Sequence, residues 1–144
     1  SLASVIRELK PHWLLAPYWV DAHPDHVAAT QLIEDARFWA KLSKTDMPGQ
    51  PHHPARIYYY HCVHLRQVIL PAFVLDISPQ WERKFQAIAA YESQFVTGRS
   101  GEGPTLLEQF RDDAAFWGKQ IGARFGEPYS SRETLGLSGP GELL

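Results

Sequence analysis

Trp13-Leu14-Leu15-Ala16-Pro17, followed after a short loop by His23-Pro24-Asp25-His26, is the stretch that decides how this chain reads. The first run is apolar, continuous and stopped by proline. That suits a short strand buried on both faces of a parallel sheet. Behind the second run, Asp25 to about Leu42 predicts a long helix, with Ala29, Leu32, Ile33, Ala36, Trp39 and Ala40 at helical spacing. Pro24 suits a first helical turn, and Asp25 meets the positive end of the helix dipole. Two histidines and a carboxylate therefore lie where a strand hands over to a helix. In open α/β sheets, ligands bind beyond the carboxyl ends of the strands.

Working outward, Leu2 to Lys10 predicts a helix with Val5, Ile6 and Leu9 on one face, closed by Pro11. Downstream, Ser43 to Pro54 is a loop rich in Pro, Gly and His. Arg56 to Val63 is aromatic and β-branched and reads as a strand, and Phe73 to Ile77 as another. Ser78 is placed as an N-cap, with Pro79 in the first turn of a helix reaching about Phe95. After a glycine-rich loop, Thr97 to Pro104, a last helix runs from Thr105 to about Phe125. Its stripe is Leu106, Phe110, Ala114, Trp117 and Ile121, its C-cap Gly126, and the tail to Leu144 reads as an extended surface arm. Alternating strands and helices predict an α/β fold, a Rossmann-like and mainly parallel sheet flanked by helices.

The chain has 144 residues, 44% hydrophobic and 21% charged, which suits one globular domain or a piece of one. A formal net charge of -2 gives no basic excess for nucleic acid. No apolar run approaches the ~20 residues that span a bilayer. Cys62 is the single cysteine, so no internal disulfide forms, and the default compartment is the cytoplasm.

His26, in the first helical turn, is placed to ligate a metal through a neutral imidazole. A catalytic zinc takes three protein ligands and leaves a position for water. His23, off the metal, is a candidate to stabilise an oxyanion or protonate a leaving amine, with Asp25 holding its ring. The other reading of the tetrapeptide is a helix start with two polar loop histidines. His52-His53 falls in a solvated loop. Cys62 and His64 would share one face of a strand, where packing is favoured over a soft metal pair, and Cys62 has no assigned base.

The motif has company in a fixed order. Ala16-Pro17-Tyr18, His23-Pro24-Asp25-His26 with Ala28-Ala29, Val74-Leu75-Asp76-Ile77-Ser78, Ala90-Tyr91-Glu92-Ser93-Gln94-Phe95, and Phe125-Gly126-Glu127-Pro128-Tyr129 with Ser131-Arg132-Glu133 follow one another. The chain resembles the C-terminal part of the LmbE-like, or PIG-L, de-N-acetylases, and within them the N-acetylglucosaminyl-L-malate deacetylases of bacillithiol biosynthesis. The resemblance implies one deacetylase domain over 1–144, truncated at its N-terminus. It implies a Zn2+-dependent hydrolase that removes acetyl from an N-acetylglucosaminyl conjugate. His26 would be a zinc ligand, and His23 and Asp25 catalytic. Tyr18, Asp21 and Gln94 are candidate substrate-binding residues. The remaining ligands and the general base belong to an Ala-His-Pro/Ala-Asp-Asp motif that this sequence does not contain, so the chain alone is expected to be inactive. Ala22 stands where many relatives carry Arg, with Arg66 a candidate replacement, and Phe110 where some carry a mobile Tyr. The expected partner is a small N-acetylated sugar, without nucleic acid or membrane, in a protein that forms homo-oligomers. The alternatives are a deacetylase of another N-acetylated sugar and a non-catalytic sugar-binding module.

Overall fold

The computed structural model describes residues 1–62, 64, 67–95 and 103–139. Arg66, most of the Thr97 to Pro104 loop and the end of the tail lie outside them. The order is α1 (Leu2–Leu9), β1 (Trp13–Pro17), α2 (Pro24–Ala40), β2 (Arg56–Tyr60), β3 (Phe73–Asp76), a 3-10 turn (Ser78–Gln80), α3 (Trp81–Ala89), α4 (Glu92–Phe95), α5 (Leu106–Gln120) and β4 (Gly126–Ser130). This is the expected α/β class, with a four-stranded sheet in the order β1-β2-β4-β3 flanked by helices. β1 and β2 are parallel, from Trp13 opposite Arg56 to Pro17 opposite Tyr60. β4 runs antiparallel to β2, with Tyr59 opposite Ser130 and Tyr60 opposite Tyr129, so the sheet is mixed. No helix among the described residues is long and apolar enough to cross a membrane. The chain divides into two compact units, Ser1–Ala72 with the residues from Tyr129 on, and Phe73–Pro128.

In the first unit, Ser1 caps α1, and Lys10 closes it in a left-handed turn (φ 47) with its amide on the Ile6 carbonyl. The inward face of α1 is Ala3, Ile6 and Arg7, whereas Val5 and Leu9, expected inside, are exposed. The small Ala3 packs with Ala36 and Ala40 of α2, which lets the two helices approach closely. Leu32 and Trp39 of α2 are exposed for the same reason: small residues, with Thr30, form the contact face. Ile33 packs on Ala16, Ile57 and Tyr59 of the sheet. β1 is buried only at its carboxyl end. Ala16 and Pro17 are covered, while Trp13 and Leu15 are 49% and 43% exposed. Among the described residues β1 pairs on one side alone, with β2, which explains that exposure. β2 stops at Tyr60 instead of running to Val63.

In the second unit, Ser78 is not the cap of α3. Its amide donates to Asp76 Oδ1 at 2.8 Å, and its Oγ accepts from the Phe125 amide at 3.0 Å. The helix expected to reach Phe95 breaks at Ala90–Tyr91 into α3 and α4. α5 begins with a complete capping box: Thr105 Oγ1 accepts from the Glu108 amide (3.2 Å), and Glu108 Oε2 from the Thr105 amide (2.7 Å). Ala114 joins Ile77 and Phe125 in the core, with the Trp81 ring stacked 4.2 Å from that of Phe125. α5 ends at Gln120, so Ile121 is exposed and Gly126 is no C-cap. Gly126 opens β4. A Cβ there would lie 2.7 Å from Val74 Cγ1 and 2.8 Å from the Gly118 amide, so only glycine allows this approach. Residues 126–130 are therefore a strand rather than part of a surface arm.

Candidate functional site

β1 and β2 end side by side at Pro17 and Tyr60, and the chain leaving each carries the polar residues of the site. His23 is the N-cap of α2 (φ -90, ψ 116), and its Nδ1 accepts from the Asp25 amide at 3.2 Å. A ring nitrogen that accepts an amide proton carries none, so the ring proton of His23 sits on Nε2. The Asp25 carboxylate is 4.0 Å from that Nδ1, and its side chain is 87% exposed. The contact that holds the ring is thus the backbone of Asp25 rather than a buried carboxylate.

Asp21 is the hub. Its side chain is fully buried; Oδ1 accepts from the His23 amide at 2.8 Å, and Oδ2 lies 2.9 Å from His26 Nδ1. Burial works to raise the Asp21 carboxyl. The hydrogen bonds of the His23 amide, the His26 ring and Cys62 outweigh it and leave the carboxyl below its ordinary value. A carboxylate on Nδ1 leaves Nε2 of His26 with a free lone pair, the arrangement that orients metal-bound histidines. Thr30 fixes the first turn of α2 from behind, its hydroxyl donating to Pro17 O (2.8 Å) and His26 O (3.0 Å).

The stretch after β2 completes the cluster. Asp21, His26 and Cys62 each offer a ligand atom, and these atoms all lie within 4.8 Å of one another. Burial, then the Asp21 carboxylate, push the Cys62 thiol up to about 11. His64 brings its ring centroid 5.5 Å from that of His23 and 5.7 Å from that of His26, which themselves stack at 4.7 Å. Both residues are here because β2 ends at Tyr60 and the strand-face reading of Cys62 and His64 does not apply. Tyr18 donates its amide to Tyr60 O at 2.9 Å and packs its ring on Trp19 and His61. Of the residues expected at the site, Tyr18, Asp21, His23, Asp25 and His26 thus belong to one unit and one loop-helix junction. Gln94 lies in α4 of the second unit, its amide on Tyr91 O. The donor set of carboxylate, imidazole and thiol fits a zinc-type ion.

No family model matches this chain. Among solved structures, a conserved protein from Thermus thermophilus is 32% identical, with a TM-score of 0.80 over 94% of this chain and 58% of that one. The N,N'-diacetylchitobiose deacetylase from Pyrococcus horikoshii, solved with an inhibitor, is 26% identical, with a TM-score of 0.68 over 89% of this chain and 48% of that one. The fold is LmbE-like. A hydratase, GalB from Pseudomonas putida, superposes with a TM-score of 0.76 over 96% of this chain and 59% of its own. At 20% identity it shares the LmbE-like fold and carries nothing about chemistry. The chain spans between 48% and 59% of these three chains. The two structures above 25% identity point to the LmbE/PIG-L superfamily.

Proposed function

We propose that this chain is the His-Pro-Asp-His half of a Zn2+-dependent deacetylase acting on an N-acetylglucosaminyl conjugate, with N-acetylglucosaminyl-malate of bacillithiol biosynthesis as the first substrate to try. The observation that carries the reading is the Asp21-held His26 beside His23 at the carboxyl ends of two parallel strands. The likeness to a chitobiose deacetylase supports the deacetylase kind. A divalent ion on His26 would activate water and polarise the amide carbonyl. Asp21 holds the His26 ring through Nδ1 and so keeps Nε2 as the ligating atom. The Nε2–H of His23, set by the Asp25 amide on Nδ1, is a donor for the oxygen that gains charge or the amine that leaves. Tyr18 is a substrate contact in this reading, and the protein is a cytoplasmic homo-oligomer.

The test is release of free amine by the full-length, zinc-loaded protein from a panel of N-acetylglucosaminides that includes the malate conjugate and chitobiose. His26→Ala is expected to lose both zinc and turnover. His23→Ala is expected to keep zinc and lose on the order of 10²–10⁴ in kcat. Hydrolysis of another member of the panel but not the malate conjugate would move the substrate to a different N-acetylated sugar. Binding without hydrolysis, with zinc at full occupancy, would favour a sugar-binding module.

A further inference from the structure

We propose that Asp21, His26 and Cys62 form a metal site that this chain completes by itself, with the Cys62 thiolate as sulfur ligand of a thiophilic divalent cation. The inference stands apart from the deacetylase reading, in which Nε2 of His26 ligates and Asp21 only orients the ring, and it needs no residue outside the first unit. Asp21 and His26 already touch at 2.9 Å, and the Asp21 carboxylate is buried and held by the His23 amide. Two donors are therefore prearranged. The third is on the chain leaving β2, outside any helix or strand, and half-buried.

The spread of the donor atoms, within 4.8 Å, is slightly wider than a bound ion needs. Zinc bonds to oxygen, nitrogen and sulfur of roughly 2.0–2.3 Å draw tetrahedral ligands closer than that. The closing movement falls to Cys62, which lies outside any helix or strand and whose thiol meets Tyr60 O at 3.9 Å, the Tyr18 backbone and Asp21. On binding, the sulfur–metal bond forms as the thiol proton leaves to solvent. The proton that His26 Nδ1 gives to Asp21 moves to Nε2, and Nδ1 and the Asp21 carboxylate then bind the ion side by side in place of their hydrogen bond. Mixed sulfur, nitrogen and oxygen donors select against Mg2+ and Ca2+, which take oxygen ligands, and suit Zn2+ or Co2+. Three protein ligands leave one position open to water or a substrate.

The experiment is a titration of the chain with Co2+ alone, reduced and without oxygen. A thiolate-to-cobalt charge-transfer band in the near ultraviolet is expected to saturate at one ion per chain and to bleach on adding Zn2+. Cys62→Ser is expected to abolish the band. Asp21→Asn and His26→Ala are expected to weaken Co2+ binding by at least ~10-fold, the low end of what losing even an outer-shell partner costs. Because Cys62 is the sole cysteine, the wild-type chain gives an independent reading: saturating Zn2+ is expected to slow its alkylation by iodoacetamide. A Co2+ spectrum without the charge-transfer band, a band that survives in Cys62→Ser, or alkylation indifferent to Zn2+ would overturn the proposal.

Discussion

Arg7 enters the interior of the first unit and is only 3% exposed. Its Nε donates to Ala40 O at 3.0 Å, and its terminal nitrogens to Met47 O at 2.6 Å, to Gly49 O, to Leu42 O and to Thr45 Oγ1. One side chain thus shapes the turn after α2. Arg7→Met keeps most of the stem and strands those carbonyls. It is expected to cost about 3 kcal/mol, the upper end for a buried group left unsatisfied, and urea unfolding would check it. Helical spacing sends a charged residue to solvent, and the acceptors that draw Arg7 inward come from a segment distant in sequence. Nothing local could announce them. The role of Asp21, by sequence a candidate substrate contact, was hidden in the same way. Its position before the motif was legible, but its role depends on His26 turning back over it. Cys62 reads as a strand residue until β2 is seen to stop at Tyr60.

Between elements, Thr30 ties the end of β1 to the first turn of α2. Thr30→Val is nearly isosteric and removes the donor to Pro17 O. It is expected to lower stability by about 1–2 kcal/mol, seen as a lower denaturation midpoint with an unchanged denaturant slope. The strand-to-helix junction it braces was legible because both signals are local: an apolar run stopped by proline, then proline and aspartate in a first helical turn. The far end of the chain was not. Gly126 follows a helical stripe and resembles a C-cap, yet what demands glycine there is the approach of Val74 and Gly118. Gly-Glu-Pro-Tyr-Ser also lacks the β-branched alternation that marks a strand, so β4 is specified by its neighbours.

For the molecule as a whole, acid sensitivity has an identifiable source. Glu133 bridges Arg37 at 2.7 Å and Arg56 at 3.2 Å, and the hydrogen bond from Arg37 leads the contacts that hold its carboxyl below the ordinary 4.5. A carboxyl lowered in the folded state adds stability that is fully present above its unfolded pKa and lost as pH falls through the folded one. Glu133→Gln is therefore expected to flatten the acid limb of the stability curve below about pH 4.5 and to reduce stability near neutrality only slightly, because the pair is partly exposed. Thermal unfolding across pH would read both. The α/β class was legible from alternation alone. The antiparallel return of β4 was not, since no short motif reports which edge a strand will find. That return has a consequence for synthesis. Tyr129 and Ser130 belong to the unit begun by Ser1, yet the ribosome reaches them only after making all of Phe73–Pro128. As the chain emerges, β2 must wait with one edge bare while a whole unit is translated, and that interval is when a holdase chaperone has most to protect.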